Sequence, residues 1–400
     1  MGGTMKIKSA VVLFILSFFV FAEAGQRTEW KGKIETENGI QIINNPKEPL
    51  YGEIVFDLEE DLVIGNEDDD RSYFYKYIYI DVDRAGNIYV LDTANNRVQK
   101  FDKSGNFVFT LGRYGQGPGE FSQQMSRLQI DGKGRICVLG NRQSHVFNPD
   151  GKWEKDLKFQ RSIDLANFTE TEKFIGKTSK NAQDMINEEI ALFDLEGNQL
   201  KSYMNVSVPY FRSPDGSFVL SGRGVYSPRL QIIPWSTGSA VYGCPTEYKL
   251  FFLDSSGRMS HIVRTEKAPE PVTAKEKDEY LRSTYEAYNK LDSRFPKRKP
   301  LSMKEIEKAY PVPDTKPFFW QLFSDDSGNI YVMRPFSLGK KMLELDFFDK
   351  DGYYLYRIVM SLLPRIIKEG FVYDWHQHEN GFMQIKRYRV KNWNNLKMDK

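Results

Sequence analysis

Two histidines near the end of the chain are the first candidates for chemistry. His376 and His378 are two residues apart, so on a strand they would project from the same face. Two imidazoles make up only part of a zinc site. The other two histidines, His145 and His261, lie far away in the sequence. The histidine pattern therefore favours residues near a turn over a metal centre.

Two further segments resemble ligand-binding loops in composition. The acidic run at residues 67–70 could offer oxygens to calcium, but it lacks the glycine and glutamate spacing of an EF-hand, so we expect a solvated loop. The glycine-rich run at residues 112–119 lacks the lysine and the following helix of a phosphate-binding loop. The sequence predicts no metal and no cofactor.

Net charge and the first residues indicate the class of partner and the location. The 56 basic and 54 acidic side chains leave a net charge of +2, which provides no strong field to attract nucleic acid. Lys6, Lys8, an apolar run at residues 10–21 and small residues around a cleavage site predict a signal peptide over residues 1–24. The apolar run is well short of the ~20 residues of a membrane span. We expect an exported protein, periplasmic or secreted, without stable membrane insertion.

A turn motif recurs along the chain and indicates a repeat. It consists of an apolar residue, Asp or Asn, two further residues and Gly, as in FDKSG at residues 101–105. Asp and Asn accept hydrogen bonds from the backbone of their own turn, and Gly tolerates positive φ. The Asp or Asn of the motif is Asp102, Asn148, Asp194, Asp254 or Asp349, and the first three are spaced 46 residues apart.

A second series of turns lies between these, and an apolar run such as IYVL at residues 88–91 follows each turn. Such runs predict strands buried on both faces. Six turns of this series, with the fourth at residues 215–216 and the sixth at 379–381, predict six four-stranded blades of a β-propeller. The first strands of the blades are expected to start near Tyr77, Arg127, Ser162, Pro209, Phe319 and Phe371.

The N-terminal segment supplies the outer strand that the sixth blade lacks. Residues 52–58 (GEIVFDL) align with residues 105–111 (GNFVFTL), which form an outer strand. We therefore expect the segment from Glu53 to Leu58 to pair with the last blade and close the ring, which leaves no unpaired edge there.

Residues 87–121 (NIYVLDTANNRVQKFDKSGNFVFTLGRYGQGPGEF) resemble NHL-type repeats, and more narrowly the exported bacterial 6-bladed β-propeller family. The GEIVFDLEEDLVIG start at residues 52–65 resembles the same family. The resemblance implies an all-β, six-bladed propeller and no particular activity. We assign residues 25–48 to a lead-in and residues 49–395 to the propeller.

A helical insertion interrupts the repeat between blades 4 and 5. Asp254 and Asp349 are 95 residues apart, about twice one blade, and the interval contains two capping boxes that start at Thr273 and Ser302. We assign the insertion to residues 269–313. Its narrow apolar stripes, which include Leu281, are expected to pack on the propeller and form a cap over or beside the channel mouth.

The first strand of each blade is expected to line the central channel. Its polar and aromatic members, which we predict as ligand-binding residues, are Tyr79, Arg127, Arg212, Trp320, Gln321, Tyr373 and Trp375. Aromatic and arginine side chains suit a binding surface, whereas carboxylates for a calcium centre are scarce in this set.

These features favour an exported, monomeric binding or scaffold module for a protein, peptide or glycan. The alternative is a metal-dependent hydrolase or lyase, similar to a lactonase, with its site in the central channel. The two cysteines, Cys137 and Cys244, fall on different blades, so we expect both to be free and buried.

Overall fold

Thirty strands and two α-helices are described by the computed structural model. It describes residues 29–122, 125–140, 142–182, 185–209, 211–212, 219–220, 226, 228–290, 300–335, 342–398 and 400. The predicted signal peptide lies outside the described residues. No helix in these ranges is long and apolar enough to cross a membrane.

The elements follow one another along the chain with few interruptions. In chain order they are β1 (Lys33–Glu37), β2 (Ile40–Asn45), β3 (Glu53–Val55), β4 (Leu58–Ile64), β5 (Phe74–Tyr75), β6 (Ile78–Val82), β7 (Ile88–Asp92), β8 (Arg97–Phe101), β9 (Phe107–Leu111), β10 (Met125–Ile130), β11 (Ile136–Gly140), β12 (Gln143–Phe147), β13 (Trp153–Lys158), β14 (Ile163–Phe168), β15 (Phe174–Ala182), β16 (Met185–Phe193), β17 (Gln199–Pro209), β18 (Phe211–Arg212), β19 (Val219–Leu220), β20 (Gln231–Trp235), β21 (Ser239–Gly243), β22 (Lys249–Leu253), β23 (Met259–Thr265), α1 (Ala274–Asn289), α2 (Met303–Ala309), β24 (Gln321–Ser324), β25 (Ile330–Met333), β26 (Leu343–Phe348), β27 (Tyr354–Met360), β28 (Ile366–Lys368), β29 (Phe371–Gln377) and β30 (Phe382–Val390).

Six antiparallel four-stranded sheets form the blades of a propeller, as predicted. Blades 1 to 5 are β6–β9, β10–β13, β14–β17, β20–β23 and β24–β27, and blade 6 is β28, β29, β30 and β4. The N-terminal hairpin β1–β2 extends blade 4, because β2 pairs in parallel with β23. The short strand β3 extends blade 5 by pairing in parallel with β27.

The turn motif holds itself together through its aspartate. Oδ1 of Asp83 accepts hydrogen bonds from the N–H groups of Ala85 and Asn87, each at 2.9 Å. Oδ2 accepts from Nδ2 of Asn87 at 2.8 Å and from the hydroxyl of Tyr89 at 3.1 Å, while Gly86 adopts a φ of 83°. Because all these bonds are local, the sequence of one turn is enough to form it. The same backbone bond to the fourth residue on recurs at Asp102, Asp131, Asn148, Asp194, Asp254, Asp325 and Asp349.

The N-terminal segment closes the ring, but our assignment of residues 53–58 as the closing strand is wrong. The outer strand of blade 6 is β4, antiparallel to β30, whereas residues 53–55 pair with blade 5. Charge complementarity explains the register, because Lys386 lies 2.8 Å from Glu60 and Arg387 lies 2.9 Å from Asp61.

Two first strands also differ from expectation. The fourth strand of blade 3 extends to Pro209, so blade 4 begins later, at Gln231. The predicted turn at residues 215–216 lies outside the described residues, and the first turn of blade 4 spans residues 236–238. Blade 6 begins with β28, which makes the strand that starts at Phe371 the second strand. The turn at 379–381 consequently joins its second and third strands.

The helical insertion lies between blades 4 and 5, as predicted, and both capping boxes are present. We expected its apolar stripes to pack on the propeller, but among the described residues the buried apolar side chains of the two helices cluster with each other. Leu281 and Tyr288 of α1 pack with Ile306 and Ala309 of α2 in a separate small core. The insertion joins the propeller through Lys316, whose ammonium lies 2.7 Å from the Glu276 carboxylate. Both cysteines are free and buried, as predicted.

The two ends of the propeller differ in the segments that they carry. We call one end the turn face, because it carries the turns between the first and second and between the third and fourth strands of the blades. We call the other end the insertion face, because it carries the links between blades, the turns between second and third strands, and the helical insertion.

The assignment of β4 as the closing strand can be tested by placing a charge on each candidate strand. Ile64 of β4 is 4% exposed in the core between blades 6 and 1, whereas Val55 of β3 is 53% exposed. We expect Ile64→Asp to lower the free energy of unfolding by about 3 kcal/mol or more, and Val55→Asp to change it by less than about 0.5 kcal/mol. Urea denaturation measures both. The reverse order would contradict the assignment.

Candidate functional site

Four exposed tyrosines lie in segments on the insertion face, three before or at the start of blade 1 and one on the link from blade 1 to blade 2. Tyr75, Tyr77 and Tyr79 alternate along the segment that enters β6 and are 46, 66 and 39% exposed. Tyr114 is 74% exposed on the link from blade 1 to blade 2. We call these four residues the tyrosine patch. Only Tyr79 was among the predicted site residues, although the YKYIY alternation at residues 75–79 could also have indicated Tyr75 and Tyr77.

The remaining exposed large apolar side chains are distributed unevenly. On the insertion face they are Tyr285, Met303, Met342 and Leu363, and on the outermost strands they are Ile34, Val55, Val63, Val108, Trp153 and Leu200. Within the described ranges, none lies in a tight turn of the turn face. The insertion face is thus the end of the propeller that presents apolar and aromatic surface.

Beside the patch, an open groove runs between the segment before β6 and the turn after β7. Tyr75 and Lys76 line one side, with the ammonium of Lys76 5.1 Å from the centre of the Tyr75 ring. Arg97 lines the other side, and it is fixed by Asp92 at 3.1 Å and by the carbonyl of Asp70 at 2.7 Å. The groove therefore combines an exposed ring with a held guanidinium.

Charged side chains line the insertion-face side of blades 2 and 3. Arg127 on β10 lies 3.6 Å from Asp164 on β14. Behind them, Glu188 is nearly buried and lies 3.8 Å from both Lys177 and Arg229. Burial lowers the pKa of Lys177, and Glu188 opposes that effect. Arg127 and Asp164 remain about half exposed, so they are the members of this group that a ligand could reach.

The other predicted site residues are placed in different environments. Gln321 begins β24 on the inner strand of blade 5, and Trp320 precedes it and packs partly into the core of blades 5 and 6. Tyr373 is 2% exposed in the core between blades 6 and 1. Trp375 is half-buried, with the guanidinium of Arg365 4.3 Å from its ring.

Two of these placements follow from the revised strand order. Tyr373 and Trp375 lie on β29, the second strand of blade 6, so they are not on the innermost strand as predicted. Arg212 lies on the two-residue strand β18, which pairs with β19 outside the six blades. The side chain of Arg212 lies outside the described part of the structure.

At the turn face, a cavity of about 110 Å³ lies on the propeller axis. Every blade contributes to its wall, through Asp81, Ile130, Asn167, Pro234, Ser324 and Lys368 in order from blade 1 to blade 6. Such a volume is several times what one water molecule needs. The cavity is polar, because carboxylates, an amide and hydroxyls outnumber apolar groups in its wall.

Polar side chains cross all six junctions between neighbouring blades at this level. We call these contacts the axial ring: Ile130 N–H to Asp81, Gln129 to the Ala166 carbonyl, Asn167 to the Ser236 carbonyl, Ser324 to the Pro234 carbonyl, and Lys368 both to the Asp326 carboxylate and to the Val82 carbonyl. Asn167 also begins a glycosylation sequon, but its amide is 1% exposed and bonded to backbone.

The histidines do not form a shared site. His376 lies 3.3 Å from Asp374, whereas His378 lies in the following turn and stacks on Phe382. His145 and His261 are buried on separate blades, 2 and 4. Among the described residues, no three Cys, His, Asp or Glu side chains are grouped to hold a metal ion. The metal-dependent alternative stays a prediction.

The residues 76–210 match the model of a family described as 6-bladed beta-propeller. The chain is a six-bladed β-propeller. No curated protein is significantly similar to this propeller. Its fold is similar to that of a Bacteroides fragilis protein whose name suggests export, with a TM-score of 0.52 and 13% identity over 88% of this chain and 99% of that one.

Two further solved structures show weaker similarity to the propeller. A member of the duf4221 family from Bacteroides vulgatus has a TM-score of 0.43 and 11% identity, over 84% of this chain and 98% of that one. Virginiamycin B lyase from Staphylococcus aureus has a TM-score of 0.36 and 9% identity, over 84% and 99%.

The buried histidine of blade 4 should make stability depend on pH. His261 stacks on Phe252 with ring centres 4.1 Å apart, and burial lowers its pKa to about 4. Below the unfolded pKa of about 6.5, the unfolded state binds more protons than the folded state, so stability falls until the pH reaches about 4. The expected loss is up to about 3 kcal/mol.

We expect His261→Gln to remove this part of the acid sensitivity. Urea denaturation at pH 7, 6, 5 and 4 would compare the variant with the unmodified protein and with His378→Gln, which removes a histidine from a surface turn. An equally steep loss in the His261→Gln protein would show that other groups cause the acid sensitivity.

Proposed function

We propose that the propeller is an exported binding module that holds a protein, peptide or glycan on its insertion face. The observation that carries the proposal is the position of the tyrosine patch. Tyrosine offers a large, rigid surface with a polar tip, and tyrosine and arginine are enriched where proteins contact ligands. Tyr77 and Tyr114 are 66 and 74% exposed, so a ligand at this face can reach both rings.

The layout of the insertion face favours a large ligand. The tyrosine patch belongs to blades 1 and 2, whereas the helical insertion emerges between blades 4 and 5 on the other side of the ring. The half-exposed pair Arg127 and Asp164 lies on blades 2 and 3. A ligand that contacts these elements together must extend across the channel mouth, which suits a macromolecule better than a small metabolite.

The first experiment compares two pairs of substitutions that remove similar apolar area from different surfaces. The propeller from residue 25 onward is screened on arrays of peptides and of oligosaccharides. The test variant is Tyr77→Ala with Tyr114→Ala, and the control is Val108→Ala with Trp153→Ala on the outermost strands. We expect the test variant to bind each true ligand with an affinity lower by about 10-fold or more. Tyrosines that contact a ligand commonly contribute more than about 1 kcal/mol each to its binding free energy.

The control pair should leave those affinities unchanged. If a ligand lost affinity for the Val108→Ala with Trp153→Ala variant but not for the Tyr77→Ala with Tyr114→Ala variant, its binding surface would lie elsewhere. Thermal unfolding of both variants should match the unmodified protein, since all four side chains are exposed.

The second experiment tests whether the insertion belongs to the binding surface. The N–H of Val272 donates to the carbonyl of Asp314 at 2.8 Å, so the two ends of the insertion are adjacent. Residues 273–313 can therefore be replaced by a short Gly-Ser linker. The two helices have their own core, so we expect the blades to unfold cooperatively without them.

We expect this deletion to lower the affinity for ligands found on the arrays, while the melting transition of the blades persists. Unchanged affinity in a well-folded deletion variant would restrict the binding surface to the tyrosine patch and its neighbours.

A further inference from the structure

We propose that the groove beside the tyrosine patch is a subsite for a neutral carbohydrate, such as an oligosaccharide of uncharged hexoses, a step that rests on the proposed function of the insertion face. The groove lies between the segment before β6 and the turn after β7, and its volume is about 660 Å³. That volume is within the roughly 300–1,000 Å³ of small-ligand sites.

An accessible aromatic ring in the wall is the first observation. Tyr75 is 46% exposed, although the ammonium of Lys76 lies 5.1 Å from the centre of its ring. Tyr73 also lines the groove, and among the described residues of the wall Ala94 has the only aliphatic side chain. A sugar ring packs its C–H groups on an aromatic ring and directs its hydroxyls outward. Such a wall suits a sugar better than an apolar peptide side chain, which needs an apolar pocket.

The hydrogen-bond donors of the wall are the second observation. The guanidinium of Arg97 donates from Nε to Asp92 at 3.1 Å and from Nη2 to the carbonyls of Asp70 at 2.7 Å and Tyr73 at 3.3 Å. These bonds fix its orientation, while Nη1 has no hydrogen-bond partner in the described part of the chain. Lys76 forms no salt bridge with a described residue, so its ammonium is available as well.

Free acceptors lie in the same wall. The carboxylate of Asp70 is exposed and pairs with no described Lys or Arg. Asn95 donates from Nδ2 to Asp92 at 2.8 Å, which leaves its Oδ1 as an acceptor without a donor among the described residues. A hydroxyl group both donates and accepts, so a polyol can use the free donors and the free acceptors together.

The balance of charge favours a neutral ligand. Lys76 and Asp70 are both exposed and have opposite signs, while Arg97 is compensated by Asp92, whose side chain is fully buried. The acidic run at residues 67–70, next to the groove, would oppose an anionic ligand. Hydroxyls form strong hydrogen bonds with charged groups of either sign, so a neutral sugar needs no excess of one sign.

The backbone of Lys76 makes one test variant especially clean. Its φ is 68°, in the left-handed region that residues other than glycine rarely adopt. Strained positions of this kind are common at ligand sites. Glycine fits this conformation without strain, so Lys76→Gly removes the ammonium without a steric penalty to the fold.

The experiment measures binding of neutral tetrasaccharides to the propeller by calorimetric titration. The probes are maltotetraose, cellotetraose, mannotetraose and galactotetraose, with tetragalacturonate as the acidic comparison. We expect at least one neutral probe to bind with a Kd below about 1 mM. Raising NaCl from about 50 to about 500 mM should change this affinity by less than about twofold, because a neutral ligand has no charge to screen.

Substitutions at residue 75 test the aromatic ring. We expect Tyr75→Ala to lower the affinity for the bound tetrasaccharide about 10-fold or more, whereas Tyr75→Phe, which keeps the ring, should retain most of it. The control is Trp153→Ala, which removes a ring that is 43% exposed on the outermost strand of blade 2. It should leave the affinity unchanged.

Lys76→Gly tests the free ammonium. We expect it to lower the affinity about threefold or more, because a charged donor to a hydroxyl is lost. Its matched control is Arg142→Gly, which removes another basic side chain from a left-handed position, with a φ of 67°, in the corresponding turn of blade 2. The control should bind as the unmodified protein does, and both variants should melt at or above its melting temperature.

No binding of any neutral tetrasaccharide at millimolar concentration would overturn the proposal. So would an affinity that survives both Tyr75→Ala and Lys76→Gly, an equal loss in Arg142→Gly, or binding of tetragalacturonate or peptides alone. If array ligands depend on Tyr77 and Tyr114 while no neutral tetrasaccharide binds, the proposed function stands and the carbohydrate subsite fails. If tetrasaccharide binding depends on Tyr75 and Lys76 but not on Tyr77 and Tyr114, the subsite stands without the rest of the tyrosine patch.

Discussion

The inner strands of the six blades each have one edge that no other strand covers, and these edges meet at the axis. Backbone groups there need partners, because unpaired buried N–H and C=O groups are costly. The axial ring supplies them from side chains: Asp81 accepts from blade 2, Asn167 donates to blade 4, and Lys368 reaches blades 5 and 1. Each contact fixes one blade against the next at the axis, and buried apolar cores such as those between blades 6 and 1 and between blades 1 and 2 join the blades farther out.

The axial ring also has a cost that explains the chemistry of the turn face. Asp81, which is partly exposed, accepts from the N–H of Ile130, and no described Lys or Arg lies close enough to form a salt bridge with it; desolvation raises the pKa of its carboxyl. Buried charge without compensation is unfavourable. The geometry that closes the six junctions therefore brings carboxylates of blades 1, 2 and 5 to the axis, where Lys368 and Arg84 lie beside Asp326.

The sequence was sufficient for the features that depend on local interactions. Asp83 and Asp325 bond only within their own turns, so the repeat, the blade number and the capping boxes at Thr273 and Ser302 could be predicted. Features that depend on pairing between distant segments could not. The choice of β4 over β3 as the closing strand depends on Glu60 and Asp61 meeting β30, some 325 residues away. The site prediction had the same weakness, since Tyr373 is assigned to the wrong strand once β28 is overlooked.

The two faces differ because their segments have different structural duties. On the turn face, each Asp–Gly turn uses its polar side chains on its own backbone, as Asp83 and Asp102 do, which leaves few groups free for an external partner. The links on the insertion face have no such motif to maintain, so they can differ in length and carry residues such as Tyr77 and Tyr114. The exposed tyrosines of the described residues therefore lie on the insertion face, whereas the turn face brings side chains of all six blades together at the axis.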